Sequence, residues 1–428
     1  RGCTFKFMDS ACLKFVTGSN MLVENNHVSF SFGGITHQTC SGARYLKNVW
    51  DMRFRTTGGA MLGQRMLRNH CISASGVDDT TIAFNTMRGA SWAVENIMNN
   101  NAYYGIVDNN EIRAEYVGIS LGHGGSTAPV PNRVSNNTIC LSSDGYIGIE
   151  CPAGSNGFRA IVDNNTITVD DYLIGTVGVA VSGDSQDIRV DVTGGYISCP
   201  LMVTCLGATQ TGYLRVENVV GEFAQNGVFS RSYQTFVRNC RFTLARNMLV
   251  FGTEMQACVR IEPPTNSVDQ YVENSEIAKT ATYTGYSTAT NLYIVGNRHP
   301  YGGVTYANRV GEYRFLIIAL ASNIATRFFF QNNSFELSSV NTWTTTSGSP
   351  SFYSGTVISI VGNTYAGNQV NQAPTMNITV PNYNVNAGTP EGFIQAVIGS
   401  TYSRIDGGAA TSFYVKESGT GNTGWVGK

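Results

Sequence analysis

Val162-Asp163-Asn164-Asn165-Thr166-Ile167 is a six-residue phrase that recurs along the chain. Each copy runs apolar, polar, Asn, any residue, polar, apolar, which predicts a strand, a tight turn and a second strand. Asn is favoured at such a turn because it tolerates the left-handed backbone conformation and bonds its own backbone. Close copies span residues 23–28, 107–112 and 134–139, and weaker copies span residues 67–72, 237–242, 272–277 and 330–335.

The spacing of the copies indicates a repeat architecture. Asn110 and Asn137 are 27 residues apart, and Asn137 and Asn165 are 28 residues apart. A period in this range is typical of a solenoid, in which each coil buries its apolar side against its neighbours. We predict a right-handed parallel β-helix, since parallel crossover connections wind right-handed. Coils should stack about 4.8 Å apart, with the turn Asn residues bonding the backbone of the next coil.

The composition agrees with an all-β chain and argues against several classes of function. Charged residues are only 13% of the 428 residues, Gly accounts for 47, and the net charge is −1. No long stretch repeats every 3.6 residues, so helices are not expected. A basic tract is lacking, which argues against a nucleic-acid partner. Apolar runs are too short to span a bilayer, which argues against membrane insertion.

The 10 cysteines show no Cys-x-x-Cys spacing, and there is no Asp-rich cluster, so neither a metal nor another cofactor is expected. Four cysteines lie in predicted strands, where a free thiol packs as a small apolar side chain. We therefore expect buried thiols rather than disulfides at Cys71, Cys140, Cys199 and Cys240. The chain begins at Arg1 without a recognisable signal peptide, and we expect an upstream region to precede it.

The sequence pattern changes near residue 376, where the repeat phrase no longer occurs. Residues 1–375 form the predicted β-helix body, and residues 376–428 form a separate C-terminal β segment. The segment contains Gly388-Thr389-Pro390-Glu391-Gly392, Asp406-Gly407-Gly408, Tyr414-Val415-Lys416 and a final Gly419-Thr420-Gly421-Asn422-Thr423-Gly424-Trp425. It resembles the C-terminal segment of bacteriophage tailspikes and tail fibres. The repeat body resembles the parallel β-helix of the same family in pattern.

This resemblance implies a homotrimeric spike on a virion, joined to the phage tail or baseplate through an upstream region. Proteins of this kind usually bind a bacterial surface polysaccharide, and many cleave it. A β-helix also has open strand edges at both ends, which must be capped or paired. A C-terminal segment paired across three chains would bury Trp425 and Phe413 between subunits. The alternative is a cap formed within one chain.

Glycoside hydrolysis needs two carboxyl groups, about 5 Å apart for retention or about 6.5–9.5 Å apart for inversion. To find them, we aligned the strands that follow the phrase, at residues 118–121, 148–151, 178–181 and 227–230. Their second and fourth positions should face inward, so the third position, which Glu150 occupies, should face solvent. We predict Glu150 as the catalytic acid. Asp184, on the next coil at a distance suited to inversion, and Asp171, in a preceding loop, are the candidate partners.

Candidate substrate-binding residues lie in nearby loops and at related outer positions. Aromatic rings stack on the flat apolar faces of sugars, and polar side chains bond the hydroxyl groups. The candidates are Tyr146, Tyr172, His123, Arg231, Glu254, Asp144 and Asp170. Structural roles compete with these interpretations, because an Asp after Ser-Gly is usually a turn residue and Arg231 can simply pair a surface carboxylate.

Four other functions remain open from the sequence. A lyase acting on a uronic acid polymer needs a base and a cation, which Arg231, Arg260, Lys279 or His123 can supply together with a tyrosine. A non-catalytic adhesin would bind sugar in the same groove without cutting it. A structural fibre segment or a secreted pectinase-like enzyme is compatible with the fold, which does not fix function. The lack of an Asp-rich calcium cluster favours hydrolysis over elimination.

Overall fold

The computed structural model of this chain describes most of its length. The described ranges are 1–6, 11–29, 33–38, 40–52, 70–75, 79–95, 105–121, 131–142, 146–152, 158–170, 175–182, 187–206, 211–244, 258–262, 269–277, 281–285, 291–299, 316–320, 327–335, 343–344, 357–361, 364–365, 383–394, 396–419 and 421–428. Every regular element in these ranges is a β-strand. None of these residues belongs to a helix long and apolar enough to cross a membrane.

The chain divides into two compact units, residues 1–224 and 225–428. The predicted boundary at residues 375 and 376 falls within the second unit. The strands of the first unit are β1 (Thr4–Lys6), β2 (Ala11–Phe15), β3 (Gly18–Ser19), β4 (Leu22–Glu24), β5 (His27–Ser29), β6 (Gly33–Gln38), β7 (Cys40–Ser41), β8 (Arg44–Leu46), β9 (Val49–Asp51), β10 (His70–Ser75), β11 (Thr80–Ala83), β12 (Thr86–Glu95), β13 (Gly105–Asp108), β14 (Glu111–Ser120), β15 (Asn132–Ser135), β16 (Thr138–Leu141), β17 (Ile147–Pro152), β18 (Phe158–Asp163), β19 (Thr166–Val169), β20 (Val177–Ser182), β21 (Asp187–Thr193), β22 (Tyr196–Cys205) and β23 (Thr211–Glu217). The boundary itself lies within β24 (Val220–Ser230).

The first unit is a parallel β-helix in which each coil contributes to three sheets. Sheet 1 holds the strands before the Asn turn, namely β4, β8, β11, β13, β15, β18, β21 and β23. Sheet 2 holds the strands after the turn, namely β1, β5, β9, β12, β14, β16, β19 and β22. Sheet 3 holds β2, β6, β10, β17 and β20 together with the second halves of β12, β14 and β22. All these pairings are parallel, as predicted.

The two consecutive Asn residues of each phrase have different structural roles. The first residue adopts the left-handed conformation, with φ of 55° at Asn136 and 52° at Asn164. The second residue is buried and joins a hydrogen-bonded ladder. Asn137 Oδ1 accepts the backbone N–H of Asn110 at 3.0 Å and its Nδ2 at 2.9 Å, and Asn165 Oδ1 accepts the same two donors of Asn137 at 3.0 Å. The prediction of one column of turn Asn residues is confirmed.

The ladder also includes residues that the repeat phrase did not mark. It runs through Asn26, Asn48, Asn85, Asn110, Asn137 and Asn165. By contrast, residues 70–72 of the weak copy at 67–72 lie in β10 of sheet 3, where His70 pairs with Trp92 of β12 and Ile72 pairs with Val94. The true turn of that coil contains Asn48, in a phrase whose left-handed residue is Lys47.

Apolar residues on both sides of each turn point inward and fill the core. Val107, Val134 and Val162 of sheet 1 are buried, as are Ile139 and Ile167 of sheet 2. The four cysteines predicted to be thiols form no disulfide: Cys71, Cys199 and Cys240 are buried as predicted, whereas Cys140 is only half-buried. Burial raises the pKa of the Cys199 thiol, so this group stays protonated and acts as an apolar filler.

The second unit repeats the parallel arrangement with its own strands. These are β25 (Thr235–Arg238), β26 (Arg241–Leu244), β27 (Val259–Ile261), β28 (Gln270–Glu273), β29 (Glu276–Ile277), β30 (Ala281–Gly285), β31 (Leu292–Val295), β32 (Arg298–His299), β33 (Leu316–Leu320), β34 (Arg327–Gln331), β35 (Ser334–Phe335), β36 (Trp343–Thr344), β37 (Val357–Val361), β38 (Thr364–Tyr365), β39 (Tyr383–Asn386), β40 (Thr401–Arg404), β41 (Phe413–Lys416) and β42 (Trp425–Gly427). Its turns carry a shorter ladder, in which Asn297 Oδ1 accepts the Ser275 N–H and Asn333 Oδ1 accepts the Asn297 N–H, both at 3.0 Å.

The pairing becomes antiparallel at the end of the chain. β40 is parallel to β39, whereas β41 is antiparallel to β40 and β42 is antiparallel to β41. This small sheet has its own core of Ile394, Ala396, Tyr402, Tyr414 and Trp425. The predicted combination of a parallel β-helix with a small C-terminal β domain is therefore confirmed.

The C-terminal motif is explained by contacts within one chain. The Glu391 carboxylate accepts the backbone N–H groups of Gly424 and Trp425, at 3.0 and 2.8 Å. Trp425 Nε1 donates to the Ile394 carbonyl at 2.8 Å. Trp425 is thus buried without a second subunit, as in the intrachain alternative, whereas Phe413 is 37% exposed.

Candidate functional site

One row of side chains crosses sheet 3 of the first unit, with one member from each of seven successive coils. Register places Ser120 beside Glu150, Glu150 beside Ala180 and Ala180 beside Thr204. In the other direction, Val94 pairs with Ile119, so Glu95 lies beside Ser120, and Ser73 pairs with both Glu95 and Thr36. We call this the outer row; its members are Thr36, Ser73, Glu95, Ser120, Glu150, Ala180 and Thr204.

The alternation predicted around Glu150 is confirmed. Ile149 and Cys151 are fully buried in the core, and Glu150 between them faces outward. Glu150 is nevertheless half-buried rather than open to solvent. Its neighbours on the outer row, Ser120 and Ala180, are themselves only 2% and 6% exposed. The outward face of sheet 3 is therefore a largely covered surface, on which Glu150 is a rigidly placed carboxyl group.

A column of glycines makes the strands at this site approach closely. A Cβ atom added to Gly148 would lie 2.6 Å from the Gly178 carbonyl oxygen and 2.7 Å from Ile167 Cγ2. The same addition at Gly118 would lie 2.5 Å from the Gly148 carbonyl oxygen. These positions require glycine because no side chain fits there. They keep the coils of Ser120, Glu150 and Ala180 in tight register.

The Glu150 carboxylate is held by its neighbour on the preceding coil. Ser120 Oγ donates a hydrogen bond to Glu150 Oε2 at 2.7 Å. The backbone is also fixed, since the Leu121 N–H donates to the Glu150 carbonyl at 3.0 Å. Burial, with a smaller contribution from the Glu150 charge, raises the pKa of the adjacent Cys151 thiol. Cys151 is consequently a packing residue, whereas Glu150 is the carboxyl group that this strand places on the outer row.

A second carboxyl group of the outer row, Glu95, contacts a histidine. His70 Nδ1 lies 3.3 Å from Glu95 Oε2, and the two side chains are 17% and 26% exposed. The other ring nitrogen, Nε2, lies 3.0 Å from Thr36 Oγ1 and shares a hydrogen bond with it. Nδ1 makes no aligned hydrogen bond, so its contact with Glu95 is electrostatic. Three successive coils thus contribute Thr36, His70 and Glu95 to one contact chain.

Glu95 and Glu150 are separated by one intervening coil, that of Ser120. Two coil steps of a parallel sheet amount to about 9.6 Å between Cα atoms. This backbone spacing is slightly longer than the about 6.5–9.5 Å between the carboxyl groups themselves that leaves room for a water molecule in inverting hydrolysis. The two positions beside Glu150 itself hold Ser120 and Ala180, so retention with both carboxyls on this row at one-coil spacing is not possible.

An apolar and aromatic patch adjoins the outer row. Val117, Ile147, Val177 and Ala180 form a buried cluster outside the main core, and Trp92, Tyr116 and Leu201 pack against it. The rings of Tyr116 and Tyr146 are stacked, with centroids 5.6 Å apart and planes 13° apart. Tyr146 is 47% exposed. On the next coil, a Cβ atom added to Gly175 would have no neighbour within 4 Å.

Comparison with known proteins gives no relatives on which to base a function. No family model, no curated protein and no solved structure matches this chain. The function must therefore be inferred from the geometry of the outer row and its surroundings.

Most of the other predicted site residues lie outside the described part of the chain. These are Asp184, Asp171, Tyr172, Asp144, His123 and Glu254, together with Lys279. Asp170 is described and exposed, and its carboxylate accepts Arg113 at 2.6 Å and the Cys140 thiol at 3.3 Å. Asp170 is therefore in an ion pair with a residue of sheet 2. Among the described residues, no group of three or more His, Cys, Asp or Glu side chains is arranged to hold a metal ion.

Arg231 belongs to an ion-pair cluster of the second unit. Arg231 and Arg260 both pair with Glu262, at 3.0 and 2.7 Å. Both guanidinium groups lie over the Phe229 ring, at 5.3 and 4.8 Å from its centroid. Glu262 is 9% exposed. This cluster joins neighbouring coils, which matches the structural interpretation of Arg231, and it neutralises two of the cations that a lyase mechanism would need.

Sequence reasoning missed Glu95, His70 and Ser120. The copies of the phrase near residues 48 and 85 lack the Asn pair, so the coil containing Glu95 was not aligned. A usable signal exists, because Asn85 and Glu95 are as far apart in sequence as Asn110 and Ser120. The role of His70 has no comparable signal, since it arises from contacts between three coils.

Proposed function

We propose that Glu95, Ser120 and Glu150 of the outer row form the active site of a glycoside hydrolase that degrades a bacterial surface polysaccharide. The observation that supports this most strongly is the placement of Glu95 and Glu150 on one rigid row, with Ser120 between them. Hydrolysis of a glycosidic bond requires two carboxyl groups, one on each side of the bond. The substrate would be a capsule, an exopolysaccharide or an O-antigen.

The proposed chemistry is acid–base catalysis across the outer row. One carboxyl group protonates the glycosidic oxygen, and the other removes a proton from the water that attacks the sugar. A backbone separation of two strand spacings, about 9.6 Å, provides space between the two carboxyl groups for that water. Elimination is less well supported, because Arg231 and Arg260 are already paired with Glu262.

The proposed binding surface for the polymer extends from Glu150 to Tyr146. Tyr146 presents a half-exposed ring that Tyr116 holds from one side. Carbohydrate rings have apolar faces that can pack on such a ring, and ligand sites are commonly lined by aromatic side chains with a few placed polar groups. The Glu150 carboxyl would then act on a bond of the same polymer.

A role on a phage particle is part of the same proposal. It depends on the resemblance of the C-terminal segment to tailspikes, and the tight Glu391–Trp425 cap is a compact end for such a spike. A homotrimer acting at the bacterial surface, attached to the tail through an upstream region, is the assembly we propose. Sedimentation of the intact protein should give the mass of a trimer, and a monomer at micromolar concentration would contradict this assembly.

The enzymatic proposal is tested by incubation with a panel of capsular, extracellular and O-antigen polysaccharides. Wild-type protein should shorten one of them and release reducing ends. Glu150→Gln and Glu95→Gln should each lower the rate by about 10²–10⁴-fold, with unchanged circular dichroism. Thr204→Val, a control on the same row, should keep full activity. Full activity in Glu150→Gln would contradict the proposal, and products that absorb in the ultraviolet would indicate a lyase.

A non-catalytic adhesin is a second candidate. It is favoured by Ser120 and Ala180, which leave Glu150 without a carboxyl partner on either adjacent coil of the outer row. Such a protein would bind a polysaccharide of the panel without shortening it. Glu150→Gln would then leave both the affinity and the absence of products unchanged.

A further inference from the structure

We infer that the two carboxyl groups of the outer row have fixed and different roles: Glu95 is the base that activates water, Glu150 is the acid, and His70 is the positioning residue of Glu95. This inference rests on the hydrolase proposed above. It assigns the direction of proton transfer and predicts that the anomeric configuration is inverted.

The contact chain behind Glu95 favours a carboxylate that accepts a proton. His70 Nδ1 faces Glu95 Oε2 at 3.3 Å. Because Thr36 Oγ1 is bonded to Nε2 at 3.0 Å, the ring is oriented with Nδ1 towards Glu95. When the hydroxyl of Thr36 donates to Nε2, the ring proton sits on Nδ1, the nitrogen that lies 3.3 Å from Glu95 Oε2, so its partial positive charge is beside the carboxylate. A protonated ring would strengthen the same preference, since a nearby positive charge favours the ionised carboxyl group.

The surroundings of Glu150 are different. One oxygen, Oε2, is bonded to the neutral Ser120 hydroxyl at 2.7 Å. Ala180, its neighbour on the following coil, is 6% exposed and packs in the apolar cluster with Ile147. Within the described part of the chain, no Lys, Arg or His forms an ion pair with Glu150. Glu150 thus differs from Glu95 in having a hydroxyl and no imidazole beside its carboxyl group, and we assign it the proton-donating role.

The resulting reaction is balanced as a single displacement. The oxygen of water attacks the anomeric carbon while the bond from that carbon to the leaving oxygen breaks. Glu95 takes one proton from the water, and Glu150 gives its proton to the leaving oxygen. The new hydroxyl lies on the face opposite the leaving group, so the product has the inverted configuration. Exchange with solvent then returns Glu95 to the ionised form and Glu150 to the protonated form.

The roles of Glu95 and Glu150 can be distinguished with a substrate whose leaving group needs no protonation. The probe is an oligosaccharide released by the wild-type protein and converted to its 2,4-dinitrophenyl glycoside, whose leaving group needs no protonation. Glu150→Gln should keep its rate on this probe within about tenfold of wild type, while losing about 10²–10⁴-fold on the polysaccharide. Glu95→Gln should lose activity on both. The opposite pattern, or retained configuration in the proton NMR spectrum of the first product, would overturn the assignment.

The role of His70 is tested with a pair of variants. His70→Leu should lower kcat by roughly 10- to 100-fold on both substrates with KM unchanged, because the base is misoriented. His70→Asn keeps an N–H group near the position of Nδ1 and should recover most of kcat. Equal kcat in His70→Leu and wild type would overturn the positioning role. If His70→Leu fails to fold, Thr36→Val provides a second test, because it removes the hydrogen bond that holds the His70 ring at Nε2. Thr36→Val should lower kcat and leave KM unchanged. An unchanged kcat in Thr36→Val would also overturn the positioning role of His70.

Failure of this inference can be told apart from failure of the proposed function. If wild-type protein shortens no polysaccharide, the hydrolase itself is contradicted. If wild-type protein is active but the leaving-group pattern is reversed, the hydrolase stands and only the roles of Glu95 and Glu150 are wrong.

Discussion

Glu95 and Glu150 face outward from the same sheet, one coil on either side of Ser120. They are 55 positions apart in number, yet two strand steps bring them within about 9.6 Å at the backbone. A parallel β-helix fixes such separations because each coil adds one strand spacing. Glycines at positions 118, 148 and 178 allow no larger side chain at this point and so keep the register. The spacing of the two acids is therefore set by the backbone.

Removal of the Ser120 hydroxyl should weaken catalysis more than stability. Ser120→Ala deletes the hydrogen bond to Glu150 Oε2, which costs about 1 kcal/mol of folding free energy and should lower kcat by about tenfold through misorientation of the acid. Steady-state kinetics on the polysaccharide and thermal unfolding measure the two effects.

Thr204→Val is the matched control for Ser120→Ala. Thr204 Oγ1 is buried on the same row and has no hydrogen-bond partner among the described residues. Its replacement by an isosteric methyl group should leave kcat unchanged and leave stability equal or slightly higher. Equal kinetic losses in both variants would show that the row responds only to packing.

Tyr146→Ala should weaken binding of the polymer. The ring is half exposed and stacked on Tyr116 at 5.6 Å, and loss of an aromatic contact of about 0.5–1.5 kcal/mol corresponds to a 2- to 12-fold rise in KM. Tyr146→Phe keeps the ring and should behave as wild type. Titration of the inactive Glu150→Gln background with polysaccharide would separate binding from turnover, and unchanged affinity in Tyr146→Ala would contradict the stacking role.

The same substitution should destabilise the protein strongly at Asn137, which belongs to the Asn ladder, and hardly at all at its neighbour Asn136. Asn137→Gly removes hydrogen bonds to Asn110, Asn165 and two backbone carbonyls in the buried ladder, and it should destabilise the fold by about 3 kcal/mol. Asn136→Gly should be within about 0.5 kcal/mol of wild type, because this residue has a φ of 55° that glycine adopts freely. Denaturant unfolding measures both. Similar losses would mean that the turn conformation matters more than the ladder.

The stability of the C-terminal domain should fall in acid through Asp406. Hydrogen bonds from Arg404 and from the Gly388 N–H lower the pKa of Asp406 to about 2. The unfolded chain has the usual aspartate pKa of about 3.9, so it binds the proton first as the pH falls. The stabilisation is complete above about pH 4 and is lost as the pH falls towards 2.

Asp406→Asn should remove this pH dependence. The variant should have a lower Tm than wild type at pH 7, and the difference should shrink between pH 4 and pH 2, where wild type loses its advantage. Thermal unfolding of both proteins across this range is the measurement. A constant difference in Tm at all pH values would show that Asp406 acts without its charge.

Much of the fold was predictable because it is encoded locally. The phrase around Asn109, Asn136 and Asn164 combines a left-handed turn residue with apolar residues on either side, and that combination specifies strand, turn and strand wherever it occurs. The alternation Ile149-Glu150-Cys151 likewise placed Glu150 outward, since strand geometry alone determines it. Coils with weaker phrases, such as the one with Lys47 and Asn48, were missed because other residues can meet the same backbone requirement.

The sequence by itself determined the parallel coil, its Asn ladder and the outward direction of Glu150, because each depends on residues within one short segment. Only the tertiary structure decided which residues stand beside Glu150. Loops of different length lie between successive strands, so residue number does not report which positions share a row. The meeting of Thr36, His70 and Glu95, and the facing of Glu95 and Glu150 across Ser120, exist only once the coils are stacked in register.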